Sequence, residues 1–157
     1  MSPRIRRLER REWQTYRAIR LAALADAPAA FGGTYANAAA YPEQTWRDWC
    51  AQPSWFAFEG EEPVGMVRVG SQDAHDLPEL ISMWVAPQAR GTSTAADLVG
   101  RVLSWARAEG ERGVRLRVID DNHRARALYE RVGFVLNGTR DTLPDGRAEV
   151  EMECVFA

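Results

Sequence analysis

Apolar positions along the chain recur with two periods, and the alternation between them predicts the elements. Ala95, Leu98, Val99, Val102, Leu103 and Ala106 fall at i, i+3, i+4, i+7, i+8 and i+11, one apolar stripe on one helix, which Gly110 and Gly113 end. Glu12 to Ala25 carries Trp13, Tyr16, Ala18, Ile19 and Ala22 near helical spacing and reads as a helix ending before Pro28. Pro42 to Cys50 opens with a proline near a helix start and places Trp46 and Trp49 on one face. A fourth helix runs from about His123 to Arg131, with Ala125, Leu128, Tyr129 and Val132 apolar and Gly133 at the C-terminal cap. Strands are predicted at Arg4 to Leu8, Trp55 to Glu59, Val64 to Val69, Glu79 to Val85, Val114 to Ile119, Phe134 to Thr139 and Glu149 to Val155. Glu79 to Val85 is mostly apolar, as a buried central strand should be. Val114 to Ile119 alternates with Arg115 and Arg117 and so has one wetter face.

The connections carry turn chemistry. Gly60-Glu61-Glu62-Pro63 joins a hairpin, and Pro144-Asp145-Gly146 lies between the last two strands. Phe31 to Tyr35 reads as a loop or turn, and Ser71 to Pro78 as a polar loop. Glu149, Glu151 and Glu153 repeat with period two, most simply the solvent face of an edge strand. The order β-α-α-β-β-β-α-β-α-β-β predicts an α/β fold with a mixed central sheet.

Composition narrows the class. The chain has 157 residues, which predicts a single domain spanning 1–157, and 46% hydrophobic content suffices for a core without staples. Net charge is −2 and mixed in sign, which argues against a nucleic-acid surface. All 20 basic residues are arginine, a composition expected of a GC-rich genome rather than of a function. Cys50 and Cys154 suit a reduced compartment. No apolar core of signal-peptide type follows the basic stretch Arg4 to Arg11, and no apolar run is long enough to span a bilayer. The expectation is a cytoplasmic protein without a membrane partner; a homodimer stays open. His75 and His123 are isolated, which predicts no metal site.

Three stretches carry candidate chemistry. Gln88-Ala89-Arg90-Gly91-Thr92-Ser93-Thr94-Ala95 links an apolar strand to an amphipathic helix. Amide groups at a helix start are unpaired and carry partial positive charge, and small side chains let a phosphate approach them. A capped strand-to-helix turn is the plainer reading. Asn122 occupies an N-cap position before Ala125, Leu128 and Tyr129. Tyr129 is a packing residue unless a reacting group lies beside it. Glu79 opens an otherwise apolar strand, either as a loop-end carboxylate beside Pro78 or as a base.

Together these stretches resemble the GNAT superfamily of N-acetyltransferases. Gln88-Ala89-Arg90-Gly91-Thr92-Ser93 is similar to the family pattern of Gln or Arg, two residues, Gly, one residue, then Gly or Ala; it departs at Ser93. Asn122 to Phe134 matches Asn-x-x-Ala-x-x-Leu-Tyr-x-x-x-Gly-Phe without a gap. The resemblance implies that acetyl-CoA is the acyl donor and is held where two central parallel strands diverge. It implies that the backbone of Arg90, Gly91, Thr92, Ser93, Thr94 and Ala95 clasps the pyrophosphate, with Gln88 at the head of the motif. Met83, Trp84, Val85 and Asn122 would bind the pantetheine arm. Glu79 would be the base, Tyr129 the acid, and a primary amine of a small molecule the acceptor, reached by direct transfer without a metal. The first two helices and the loop from Ala30 to Tyr35 would line the acceptor side, with the hairpin around Asp145 opposite. Trp13, Trp46, Trp49 and Trp55 divide between core and acceptor pocket. Two alternatives remain: acetylation of a protein N-terminus or lysine, and a non-catalytic acyl-CoA-binding module.

Overall fold

The computed structural model describes residues 3–27, 34–70 and 76–157. Its strands are β1 (Arg4–Arg6), β2 (Ser54–Glu59), β3 (Glu62–Val69), β4 (Glu79–Val85), β5 (Gly113–Ile119), β6 (Val135–Thr142) and β7 (Ala148–Val155). Its helices are α1 (Trp13–Asp26), α2 (Tyr35–Ala39), α3 (Glu43–Ala51), α4 (Thr94–Ala108) and α5 (His123–Arg131). The strands form a seven-stranded mixed sheet in the order β1-β2-β3-β4-β5-β7-β6. The chain divides into two compact units, one of residues 1–68 and 82–98 and one of 69–81 and 99–157, with boundaries inside β3, β4 and α4.

In the first unit, β1, β2 and β3 pair antiparallel, with Ile5 opposite Ala57 and Phe56 opposite Met66. Trp55, Phe56, Ala57, Val64, Met66 and Val67 are buried. The helices α1 and α3 add to this core. α1 buries Tyr16, Ile19, Leu21, Ala23 and Leu24, and α3 buries Trp46 and Cys50. A single turn of 3₁₀ helix leads into α1, with a reciprocal Glu9–Glu12 capping box at its start; Glu12 also pairs with Arg6 at 2.8 Å. That guanidinium, chiefly through its hydrogen bond, holds the Glu12 carboxyl below its usual range.

In the second unit, β5 and β7 pair antiparallel over their full lengths, from Gly113 opposite Val155 to Ile119 opposite Glu149. Gly113 has no room for a side chain, since a Cβ there would lie 2.3 Å from the Cys154 carbonyl oxygen. Val114, Leu116, Val118, Val150 and Met152 are buried, while Arg115, Arg117, Glu149, Glu151 and Glu153 alternate with them. β6 pairs with β7 through a bulge between Leu136 and Arg140, where Gly138 takes φ +92°.

Several expectations change. The Phe31 to Tyr35 turn ends in a helix, because Tyr35 opens the one-turn α2 that Thr34 caps by accepting from the Asn37 amide at 3.2 Å. Residues 31–33 of that turn, and 71–75 of the polar loop with His75, lie outside the described residues. β7 is not the edge strand: it inserts between β5 and β6, and β6 takes the edge. Glu149 and Glu151 therefore meet Arg115 and Arg117 instead of open water, and Glu153 accepts from Asn137 Nδ2 at 3.4 Å. Pro42 sits at the N-cap of α3 and not inside it. β1 stops at Arg6, and Leu8 beyond it is buried. Among the described residues no helix is long and apolar enough to cross a membrane.

Candidate active site

The first unit holds the strand end and the glycine loop. Met83, Trp84 and Val85 finish β4, and the Ala86 amide donates to the Val64 carbonyl at 2.7 Å, tying the exit of β4 to β3. A 3₁₀ turn over Pro87–Ala89 leads to Arg90 and then to Gly91, whose φ is +79°. Only glycine adopts that conformation without strain, and no atom lies within 4 Å of where a Cβ would project. The loop therefore presents bare backbone beside open space just before α4. The fifteen-residue α4 supplies the partial positive charge of its first amides. These features fit a bound pyrophosphate.

The side chains of the loop are committed to local bonds. The Thr92 hydroxyl donates to the Ala89 carbonyl at 2.5 Å and lies 2.8 Å from that of Thr94, which is fully buried. Ser93 Oγ donates to Asp97 Oδ2 at 2.9 Å. Gln88 Nε2 donates to Glu62 Oε1 at 3.2 Å. Ala95 lies in the first turn of α4. Arg90 donates from Nε to the Val85 carbonyl at 3.1 Å and pairs through Nη2 with Asp26 Oδ2, the same oxygen that accepts from Trp84 Nε1 at 3.0 Å. The Trp84 bond, followed by Arg90, holds the Asp26 carboxyl below its usual range against the opposing effect of burial. Arg90 thus clamps the last turn of α1 to the end of β4. Asp26 is a partner of the loop that the sequence concealed, because Trp84 and Arg90 lie 58 and 64 residues away from it.

The second unit holds the candidate acid and base. Glu79 begins β4 opposite Arg115 in the parallel β4–β5 ladder, and Leu80 follows opposite Leu116. Two residues later Ser82 takes φ +55°, a left-handed conformation uncommon outside glycine. The Glu79 carboxylate lies 3.6 Å from Arg115 Nη1 and 3.9 Å from Arg117 Nε, with its side chain 22% exposed. Both guanidiniums also contact Glu151, and Arg117 further contacts Asp141 and Glu149. Glu79 is therefore held in a charged ladder while part of it stays open to solvent.

Asn122 caps α5, its Oδ1 accepting from the Ala125 amide at 3.2 Å. This leaves its Nδ2 group pointing to no hydrogen-bond partner of its own among the described contacts. Gly133, at φ +107°, ends the helix. Tyr129 is 7% exposed and packs edge-on against Phe134, with ring centroids 5.9 Å apart. Burial pushes its hydroxyl up to about 12. His123 stands in the first turn of α5, and among the described residues no group of three or more His, Cys, Asp or Glu could hold a metal ion.

Comparison with known proteins gives the same reading. Residues 6–134 match the acetyltransferase (GNAT) family. An uncharacterised N-acetyltransferase of Mycobacterium tuberculosis is 38% identical over 77 residues, 49% of each chain. This chain thus spans about half the length of the curated relatives it matches. Among solved structures, a GNAT-family acetyltransferase from Streptococcus pneumoniae superimposes with a TM-score of 0.82 at 17% identity, covering 98% of this chain and 99% of that one. A putative acetyltransferase from Salmonella typhimurium, solved with its cofactor acetyl-CoA, gives 0.78 at 16% identity, covering 100% and 95%. With the fold, the glycine loop and the Asn122 to Phe134 segment in agreement, the chain belongs to the GNAT acetyltransferase family.

Proposed function

We propose that this protein transfers the acetyl group of acetyl-CoA directly to the primary amine of a small molecule. The observation that carries the donor assignment is Gly91, at φ +79° with open space around it and the start of α4 behind it. In this reading the amides of residues 90–95 hold the pyrophosphate, and Met83, Trp84, Val85 and Asn122 hold the pantetheine arm. Acetyl-CoA supplies an activated acetyl thioester.

The protein's own residues manage protons. An alkylammonium of pKa about 10 is only about 0.1% deprotonated at pH 7, so a base that takes its proton raises the reactive fraction. Glu79 is the proposed acceptor of that proton, directly or through water. Arg115 and Arg117 hold its carboxylate in place. Tyr129 is the proposed donor toward the sulfur. Its pKa of about 12 decides the form this takes. A free thiol has a pKa of about 8.5, so complete proton transfer from such a phenol to a thiolate is uphill by about 5 kcal/mol. A strong hydrogen bond to sulfur carries no such cost. Tyr129 therefore serves as a hydrogen-bond donor that is always protonated, with the proton for the leaving thiol coming from solvent.

The choice of a small molecule rests on α1 and α3, whose Tyr16 and Trp46 are fully buried in an aromatic cluster instead of lining an open groove. The test is thiol release from acetyl-CoA against amines, amino acids, aminoglycoside-type antibiotics and N-terminal or lysine peptides. The expected result is release dependent on a small amine, with an N-acetylated product. Release only with peptides selects the protein-directed alternative. Acetyl-CoA binding by calorimetry with no acceptor-dependent release selects the non-catalytic one.

A further inference from the structure

One oxygen atom in the first unit joins two segments proposed for different parts of acetyl-CoA. Asp26 Oδ2 accepts from Trp84 Nε1 at 3.0 Å and pairs with Arg90 Nη2. Trp84 lies in the stretch proposed for the pantetheine arm, and Arg90 opens the loop proposed for the pyrophosphate. Arg90 Nε closes the triangle by donating to the Val85 carbonyl at 3.1 Å. The exit of β4, the glycine loop and the last turn of α1 therefore meet at one carboxylate.

The carrier of that carboxylate is rigid. Ala23 and Leu24, in the same turn, are buried, and the Ala27 amide donates to the Ala23 carbonyl at 3.0 Å. Asp26 does not serve α1 itself. The last turn of a helix carries partial negative charge, which disfavours a carboxylate there. Its ionised form is favoured instead by the Trp84 bond and then by Arg90.

Most other side-chain bonds of the loop are local. Those of Thr92 to the Ala89 carbonyl, Ser93 to Asp97 and Arg90 to the Val85 carbonyl each close within five residues. Two further bonds reach distant chain, from the Ala86 amide to the Val64 carbonyl and from Gln88 to Glu62. The Gln88 bond is exposed, and neither of the two reaches Arg90. The tie that does is Asp26.

We propose that Asp26 is a positioning residue for acetyl-CoA, setting the spacing between the end of β4 and the glycine loop through Trp84 and Arg90. This rests on the donor assignment above. A ligand that must meet both segments binds more tightly when they are already spaced, because less order is imposed on binding. The direct charge effect has the opposite sign, because a carboxylate near a pyrophosphate repels it. Neutralising Asp26 therefore separates the two: binding weakens if Asp26 positions, and tightens if it only adds negative charge.

The test is calorimetric titration of the whole protein with acetyl-CoA, for the parent, Asp26→Asn, Arg90→Gln and the double variant. Asparagine keeps the size and can still accept from the indole, but it loses the charge that holds Arg90. Asp26→Asn should weaken binding about tenfold. In the Arg90→Gln background the same change should cost no more than about twofold, because its partner is already gone. Trp84→Phe keeps an aromatic ring and removes the indole donor. It should weaken binding several-fold, and it serves if Asp26→Asn does not fold. Unchanged or tighter binding in Asp26→Asn overturns the proposal. So does a full additive loss in the double variant, which would mean that Asp26 acts other than through Arg90. If the parent itself does not bind acetyl-CoA, the donor assignment falls, and this role with it. If the parent binds and every variant matches it, only the role of Asp26 falls.

Discussion

A phenol that titrates near 12 keeps its proton throughout the pH range in which amines are acetylated, and Tyr129 is such a phenol. Its ring packs on Phe134 and its hydroxyl is the only part that chemistry can use. Tyr129→Phe should therefore keep the fold and acetyl-CoA affinity while lowering kcat by about 10-fold to 10²-fold, the range for a lost hydrogen bond or acid. Single-turnover thiol release measures this, and an unchanged rate makes Tyr129 a packing residue. The same residue shows what one sequence can tell. Asn122, Tyr129 and Gly133 fall in a local pattern, so their places on α5 were readable. The clamp of Arg90, Asp26 and Trp84 was not, because it closes between α1 and β4 and no local spacing records it. The sequence places Arg90 only in the backbone of the phosphate loop; the fold gives its side chain a carboxylate partner.

Elements were legible wherever a stripe or an alternation was long enough to count. The apolar positions of α4 recur over three turns, and Leu98, Val99, Val102 and Ala106 are all fully buried. α2 has five residues, too few for a period to show. The place of β7 was hidden for another reason: chain order does not fix strand order, and the last strand slips inside the sheet. α5 offers a direct test at this scale, because Asn122 has two separable ends. Its oxygen caps the helix, and its Nδ2 group is the proposed contact to pantetheine. Asn122→Ala removes both and should cost about 1 kcal/mol of stability with weaker acetyl-CoA binding. Asn122→Asp keeps the cap and loses the donor, so thermal stability should stay near that of the parent while acetyl-CoA affinity falls. Calorimetry and melting curves together check this; unchanged affinity in the aspartate variant would leave Asn122 a cap and nothing more.

Across the whole molecule, two buried tyrosines link stability to pH. Burial pushes Tyr16 and Tyr129 to about 12, against an ordinary value of 10. The unfolded chain releases these protons first, so between about 10 and 12 the native state binds more protons and stability falls as pH rises. The contribution is fully present below pH 10. Urea midpoints measured from pH 8 to 12 should be flat in this respect at first and then decline, and Tyr16→Phe should flatten the decline if it still folds. The mixed α/β architecture was legible from the order of elements, and the family from two motifs, Gln88 to Ser93 and Asn122 to Phe134. The acceptor was not, because no motif of the sequence describes the groups that would meet it. The account stands or falls on proton removal from the acceptor amine. The measurement is the pH–rate profile of kcat/KM for the best acceptor from pH 6 to 10, for the parent and for Glu79→Gln, with acetyl-CoA affinity and circular dichroism as controls. The account predicts the largest deficit in the variant at neutral pH, shrinking as the free amine becomes abundant, and so a steeper profile than the parent's. Parallel profiles from pH 6 to 10, with the variant folded and acetyl-CoA bound, would show that Glu79 is not the base.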